Sequence, residues 1–266
     1  MVYNRLVNFY FQRRIKMKKI ISLALVLIMV FSLAACQNPT SNTGEDIMTK
    51  SEGVMTWEEY NAAALNSEVV IEAYIQGKQS WWAKEGVGRG TFYLQDGVGG
   101  YLAYELICTE EEYNTLTVGT KVRLTGYKAM WSGEVEVIDA TFEILEGYYV
   151  AEFVDVTNKL GKSEIVNYQN MKVAFKGLTV VSWNYQGGAR GKDIYVTLSY
   201  NGTNYEFCVE SYLTGPDSDL YKAVESLKEG DVVDVEGFAY WYDSQNRVDA
   251  VYPENINTHI TSIIVK

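Results

Sequence analysis

The chain has 266 residues, 47 % of them hydrophobic and 21 % charged, a globular composition that excludes a wholly disordered chain. Its 23 basic and 34 acidic side chains give a net charge of −11. Six of the basic ones (Arg5, Arg13, Arg14, Lys16, Lys18 and Lys19) fall in the first 35 residues, which hold no acidic residue. Beyond Ala35 the balance is 17 against 34, a net charge of −17 that repels phosphate at long range. Three cysteines cannot form a disulfide framework, and one histidine, His259, leaves little from which to build a multi-histidine metal centre or a Ser-His relay. No metal, no cofactor and no catalytic activity are therefore expected.

Lys18-Lys19 opens an apolar run from Ile20 to Leu33 that ends in Ala34-Ala35-Cys36. A basic start, an apolar core and small residues at the break make a secretory signal. The run is shorter than the ~20 residues a membrane-spanning helix needs. Leu33-Ala34-Ala35-Cys36 resembles the lipobox of bacterial lipoproteins. That resemblance implies lipidation at Cys36 and display on the outer face of a bacterial membrane, which two or more acyl chains hold stably. A plain signal peptide with a coincidental cysteine is the alternative. Met17-Lys18-Lys19 is how such signals open, so residues 1–16 are expected to precede the natural start. Residues 1–35 then form the signal, and 36–54, rich in Asn, Pro, Thr, Ser and Gly, a flexible tether.

Thr56 and Glu59 have the spacing of a capping box, which predicts a short helix ending near Asn66. The period then becomes two. Val69, Ile71, Ala73 and Ile75 face one way, and Val70, Glu72, Tyr74 and Gln76 the other. A second strand carries Phe92 and Leu94 against Tyr93 and Gln95, with a turn at Asp96-Gly97, and Tyr101 to Ile107 makes a third. Thr109 starts another short helix. Val122 and Leu124 mark a fourth strand ending at Gly126, and Val135 to Phe142 a fifth. Gly86-Val87-Gly88-Arg89-Gly90 precedes a strand and reads as a mobile loop, not a phosphate cradle.

The order then repeats. Met171, Val173 and Phe175 match Val69, Ile71 and Ala73 at an offset of 102, as Ile194, Tyr195 and Val196 match Phe92, Tyr93 and Leu94. Leu227, Gly230, Val233, Val235 and Gly237 match Leu116, Gly119, Val122, Leu124 and Gly126 at 111. The nine-residue change is expected between the second and fourth strands. Five strands with a helix between the third and fourth is the OB arrangement, a small partly open barrel. The fold expected is all-β with short helices: two tandem five-stranded OB-like barrels at 55–147 and 171–266, joined by a bridge at 148–170. Gly126 and Gly237 fall where a strand must bend to close a barrel. The segments Phe92 to Gly97 and Val118 to Gly126 resemble bacterial extracytoplasmic OB domains, and the whole mature region resembles uncharacterised tandem-OB lipoproteins of anaerobic bacteria, notably at Glu236 to Tyr242 and His259 to Ser262, a resemblance that implies an architecture and no activity.

OB barrels bind on the face of strands two and three and in the loops joining strands one–two and four–five. The aromatics at those places are Trp81, Trp82, Tyr93 and Trp131 in the first barrel. In the second they are Trp183, Tyr185, Tyr195 and Tyr240-Trp241-Tyr242. The expected ligand residues are Trp81, Trp82, Tyr93, Trp131, Trp183, Tyr195, Tyr240 and Trp241. Flat rings stack on sugars or bases, while rings that merely cap the cores are the competing reading. Lys84, Arg89, Lys121, Arg123 and Lys128 make a candidate phosphate patch, with a solvated strand face as its plainer explanation. Glu134 and Glu136 share a strand face and read as outward solubilising charge rather than a catalytic carboxylate pair. Cys108 and Cys208 are expected as buried thiols, an inter-barrel disulfide being the alternative. The function expected is non-catalytic binding of an extracellular glycan or protein. Single-stranded nucleic acid held by the first barrel, and a structural spacer of the cell envelope, are the rivals.

Overall fold

The computed structural model describes Ile47 and residues 49–266. The signal segment, Cys36 and most of the tether lie outside the described residues. Among the described residues, no helix is long and apolar enough to cross a membrane.

In the first half, helix α1 (Trp57–Ala62) begins at the Thr56 capping box, with Glu59 N–H donating to Thr56 Oγ1 and Glu59 Oε2 accepting from Thr56 N–H. Strands β1 (Glu68–Lys78), β2 (Trp82–Lys84), β3 (Val87–Gln95) and β4 (Gly100–Ile107) follow. Helix α2 (Glu110–Thr115) has its own capping box from Thr109 and Glu112. Strands β5 (Thr120–Trp131) and β6 (Glu134–Tyr148) complete the set. β1 pairs with β3, β3 with β4, β4 in parallel with β6, β6 with β5, and β5 again with β1. The sheet therefore closes on itself as an OB barrel. The segment expected as a mobile loop at Gly86 to Gly90 is instead the start of β3, folded back on β2 through a turn at Glu85-Gly86.

In the second half, β7 (Val154–Asp155) and two 3-10 segments (Thr157–Lys159, Ser163–Tyr168) lead into β8 (Lys172–Tyr185), β9 (Ile194–Tyr200) and β10 (Thr203–Val209). Helices α3 (Ser211–Thr214) and α4 (Asp219–Glu225) precede β11 (Val232–Phe238) and β12 (His259–Val265). The circuit is the same: β8–β9, β9–β10, β10–β12 in parallel, β12–β11 and β11–β8. The chain thus carries two tandem OB-like barrels, mostly strand with short helices. Val156, Leu160 and Ile165 of the bridge fill the second core beside Phe175, Val196, Phe207 and Trp241.

The ladder corrects the register of the repeat. Leu94 lies opposite Tyr101, and Leu198 opposite Tyr205; Phe92 lies opposite Ala103, and Val196 opposite Phe207. The same offset of 104 relates Ile71 to Phe175, which lie opposite Leu124 and Val235, themselves related by 111. The offset of 102 is a slip of two residues. Because side chains alternate with period two, such a slip keeps every inward residue inward, so the expected core side chains are buried although their partners were misassigned. The fourth strands keep their offset of 111, and the extra length sits in α3 and α4, not in the β9–β10 hairpin.

The bends at Gly126 and Gly237 are real: the pairing register shifts at both, and a Cβ on Gly237 would collide with His259 O. β1 departs from the expected one-sided pattern, since Glu72, Tyr74 and Gln76 are also buried. Glu72 lies beneath Lys121 and Arg123. Gln76 is strapped by the bridge, its Oε1 accepting from Ala151 N–H at 2.8 Å and its Nε2 donating to Tyr149 O.

The barrels pack on each other through a small apolar patch in which Tyr93 and Phe238 stack at 4.2 Å beside Leu102, Leu213 and Tyr240. A polar seam continues it. Lys172 N–H donates to Gln95 Oε1, Asn170 Nδ2 to Val135 O, Gln169 Nε2 to Gly133 O, and Trp241 N–H to Glu134 Oε2. Glu134 and Glu136, expected as outward charge, are buried along this side of the first barrel. Burial and mutual repulsion push the Glu134 carboxyl well above its ordinary range, and burial with the nearby Glu105 pushes Glu136 up to about 8. Two outward faces that meet bury what each alone would expose.

Candidate functional site: a cleft between the two barrels

The packing leaves a cleft of about 800 Å³. Its walls are the two OB binding faces, turned toward each other. The first barrel supplies Thr91 on β3, Tyr104 and Glu105 on β4, Gln79 and Ser80 from the connection after β1, Trp82 on β2, and Trp131 at the end of β5. The second supplies Tyr195 on β9, Cys208 on β10, His259 on β12, and Asp193, Glu210, Tyr212, Tyr240, Tyr242 and Asn257 from the connections around them.

Alternation explains these choices. In β10, Phe207 and Val209 point into the core, so Cys208 points out. Tyr195 is its neighbour across the β9 ladder and His259 across the β12 ladder. In β4, Ala103 is inward and Tyr104 outward. Ser80 N–H donates to Tyr212 O at 2.7 Å and ties the first barrel's loop to α3.

The floor is a chain of rings and hydrogen bonds. Tyr93 OH and His259 Nδ1 lie 2.6 Å apart, and Gln79 Nε2 donates to the same hydroxyl at 3.0 Å. The His259 ring stacks on Tyr240 at 3.9 Å. Burial pushes the imidazole down to about 3, so it is neutral at physiological pH. Glu210 accepts Tyr212 N–H, and burial with the neighbouring Asp193 pushes its carboxyl up to about 7. Asp193 Oδ1 accepts from Ser211 N–H and Oγ–H. The rim is aromatic: Trp131 is 51 % exposed and Tyr242 44 %, their rings 5.8 Å apart, and Tyr212 and Trp82 are also exposed, Trp82 beneath the Arg89 guanidinium.

Of the eight expected ligand residues, Trp82, Trp131, Tyr195 and Tyr240 line this cleft. Four do not. Trp241 is fully buried in the second core, with its indole donating to Tyr252 O. Trp81 packs on the first core and donates to Cys108 O, and Trp183 packs on the second and donates to Leu227 O. Tyr93 faces out of its own barrel as alternation requires, but the second barrel covers it. The lining also includes Tyr104, Tyr212, Glu105, Asp193 and Glu210, which sequence reasoning missed; only Tyr104 had a signal, its outward place in an expected strand.

The candidate phosphate patch is spent on internal contacts. Lys121 and Arg123 pair with Glu72, Arg123 also with Glu143, and Arg89 with Glu105. Lys128 is buried, its ammonium donating to Tyr60 O, Asn61 O and Ala63 O at the end of α1. Lys84 alone of the five is exposed on β2. Cys108 and Cys208 are free buried thiols, not a disulfide.

No family model matches the chain, and no curated protein matches it. Among solved structures, one described as the molecular basis for abrogation of activation of pro-inflammatory cytokines superposes with a TM-score of 0.34 at 10 % identity, over 77 % of this chain and 95 % of that one. A replication protein A heterotrimer bound to ssDNA gives 0.33 at 14 %, over 76 % and 52 %. A murine DNA-binding protein bound with double-stranded DNA gives 0.34 at 10 %, over 74 % and 94 %. At these scores the strand pairing, not the likeness, carries the fold.

Proposed function

We propose that the protein is a non-catalytic binding protein whose ligand is an extracellular glycan held in the cleft between the barrels, the chain being displayed on the outer face of a bacterial membrane through lipid on Cys36. The observation that carries this reading is the lining itself: seven aromatic rings, Trp82, Tyr104, Trp131, Tyr195, Tyr212, Tyr240 and Tyr242, interleaved with Glu105, Asp193, Glu210 and Asn257. Rings present flat apolar faces to sugar C–H groups, and carboxylates and amides accept or donate to hydroxyls. Three carboxylates against Lys192 as the cation of the lining suit a neutral or cationic saccharide and oppose a polyphosphate.

Single-stranded nucleic acid is the second reading. The exposed Trp82 and Trp131 favour it, since OB surfaces stack bases on aromatic rings at roughly 1–3 kcal/mol each. Salt dependence separates the two. Titration of the protein with neutral oligosaccharides and with a single-stranded oligothymidylate, followed by tryptophan fluorescence, is expected to give saccharide binding that persists at high salt. Oligothymidylate binding that weakens steeply between low and physiological salt, with no response to any saccharide, overturns the glycan reading.

A further inference from the structure

The cleft floor also holds a cluster whose chemistry goes beyond saccharide or base recognition. Cys208, Glu210 and His259 each offer a ligand atom, and these atoms all lie within 4.8 Å of one another. We propose that they bind a borderline-soft divalent cation, of which Zn²⁺ is the best match, with a coordination position left open toward the cleft. A thiolate, an imidazole and a carboxylate are the ligand types Zn²⁺ takes. The single histidine argued against a multi-histidine centre, and this set needs only one.

The fold fixes two of the three donors. Cys208 and His259 are neighbours across the parallel β10–β12 pairing, and Cys208 N–H donates to Thr258 O at 2.9 Å. Both are nearly fully buried. The His259 ring is clamped by the Tyr240 stack and by Tyr93 OH on Nδ1, the outer hydrogen bond that orients a ligating imidazole. With Nδ1–H donating to Tyr93, the other ring nitrogen is left with its lone pair. Glu210 is only half-buried and supplies the adjustable ligand. Zn–S of about 2.3 Å and Zn–N of about 2.0 Å set tetrahedral ligand atoms roughly 3.5 Å apart. The cluster therefore closes by an ångström or so, within reach of a glutamate side chain. Binding is M²⁺ replacing the Cys208 thiol proton, which passes to solvent: the S–H bond breaks heterolytically, the S–M bond forms, and nothing is oxidised. All three residues line the cleft, so water or a ligand oxygen completes the tetrahedron.

The test is Co²⁺ titration of the full chain followed by the thiolate-to-cobalt charge-transfer band, with Zn²⁺ as competitor. One equivalent is expected to produce the band and Zn²⁺ to abolish it. Cys208→Ser is expected to remove it, while Cys108→Ser and Cys36→Ser leave it intact. Glu210→Gln and Tyr93→Phe are expected to weaken Zn²⁺ binding roughly tenfold or more; Tyr93→Phe keeps the Phe238 stack and removes only the hydroxyl. No band, or a band that survives Cys208→Ser, overturns the proposal. If Cys208→Ser fails to fold, binding unchanged in both Glu210→Gln and Tyr93→Phe overturns it. Saccharide binding without metal leaves the glycan reading standing by itself, so the two fail separately.

Discussion

Glu134 Oε2 accepts the backbone N–H of Trp241 at 3.0 Å across 107 residues of sequence, and through this bond the first barrel's last strand holds the second barrel's long loop. The same oxygen accepts from Gln169 Nε2 at 3.2 Å, while Oε1 is buried without a partner. Burial pushes the carboxyl well above its ordinary range and so favours the neutral form, which an amide of nearly the same shape resembles. Glu134→Gln is expected to change stability by less than about 1 kcal/mol. Glu134→Ala strands the buried Trp241 N–H, while Gln169 Nε2 keeps Gly133 O as an acceptor, and is expected to cost about 1–3 kcal/mol. Urea midpoints of the two variants check this, and equal losses would show that the bond does not join the barrels.

The same seam makes stability fall with alkalinity. Glu136 titrates at an ordinary 4.5 when unfolded and at about 8 when folded. The folded state therefore binds more protons, and the stabilisation present below 4.5 is lost as pH rises toward 8. His259 acts in the opposite sense: its folded value of about 3 lies below 6.5, so its contribution is lost as pH falls from 6.5 toward 3. Above pH 6.5 the slope contributed by His259 fades, and Glu134 and Glu210 share the direction of Glu136. Between pH 6.5 and 8 the protein is expected to lose at most about 2 kcal/mol through Glu136. Glu136→Gln is expected to flatten that slope in urea unfolding, and an unchanged slope would assign it to other groups.

What the chain spells locally, it spells legibly. Both capping boxes are contacts between residues three apart, so Thr56 with Glu59 and Thr109 with Glu112 are readable from spacing. Alternation likewise marks Ile71, Phe92 and Leu94 as core. Alternation says that a side chain leaves its own barrel; it does not say what waits outside. Tyr93, Glu134 and Glu136 all point outward and all are buried, because the cover comes from the other barrel or from long-range neighbours. The two-residue slip in the repeat has the same origin, since only the cross-strand partner distinguishes Val173 from Phe175 as the equivalent of Ile71. The cleft was half visible: its aromatics lie in the loops an OB barrel uses, but Asp193 and Glu210 become neighbours only through the fold.

The barrel contact is close enough to test sterically. A Cβ on Gly77 would sit 2.7 Å from the Phe238 ring and 3.7 Å from Tyr93, the ring on which Phe238 stacks at 4.2 Å. Gly77→Ala is therefore expected to push Phe238 off Tyr93 and to cost about 1–3 kcal/mol, the usual range for overpacking. The readout is calorimetry. Wild type is expected to unfold in one transition and Gly77→Ala to separate the two barrels into two, with the second barrel's melting less affected than their coupling. A single unshifted transition would mean that the patch bends without loss.

Two tryptophans 110 residues apart, Trp131 and Trp241, both expected in ligand-binding loops of their barrels, are separated by their surroundings into opposite roles. Trp131 stands 51 % exposed at the cleft rim beside Tyr242, whereas Trp241 is fully enclosed by the second core. Trp131→Ala removes no buried contact and is expected to leave stability within about 0.5 kcal/mol, while lowering saccharide affinity by about tenfold, the equivalent of roughly 1.4 kcal/mol. Trp241→Ala opens a cavity and is expected to cost about 3–5 kcal/mol of stability, with binding impaired only as the fold loosens. Melting temperatures and saccharide titrations of the two variants together decide it. A Trp131→Ala protein that binds every tested saccharide as tightly as wild type would remove the rim from the site.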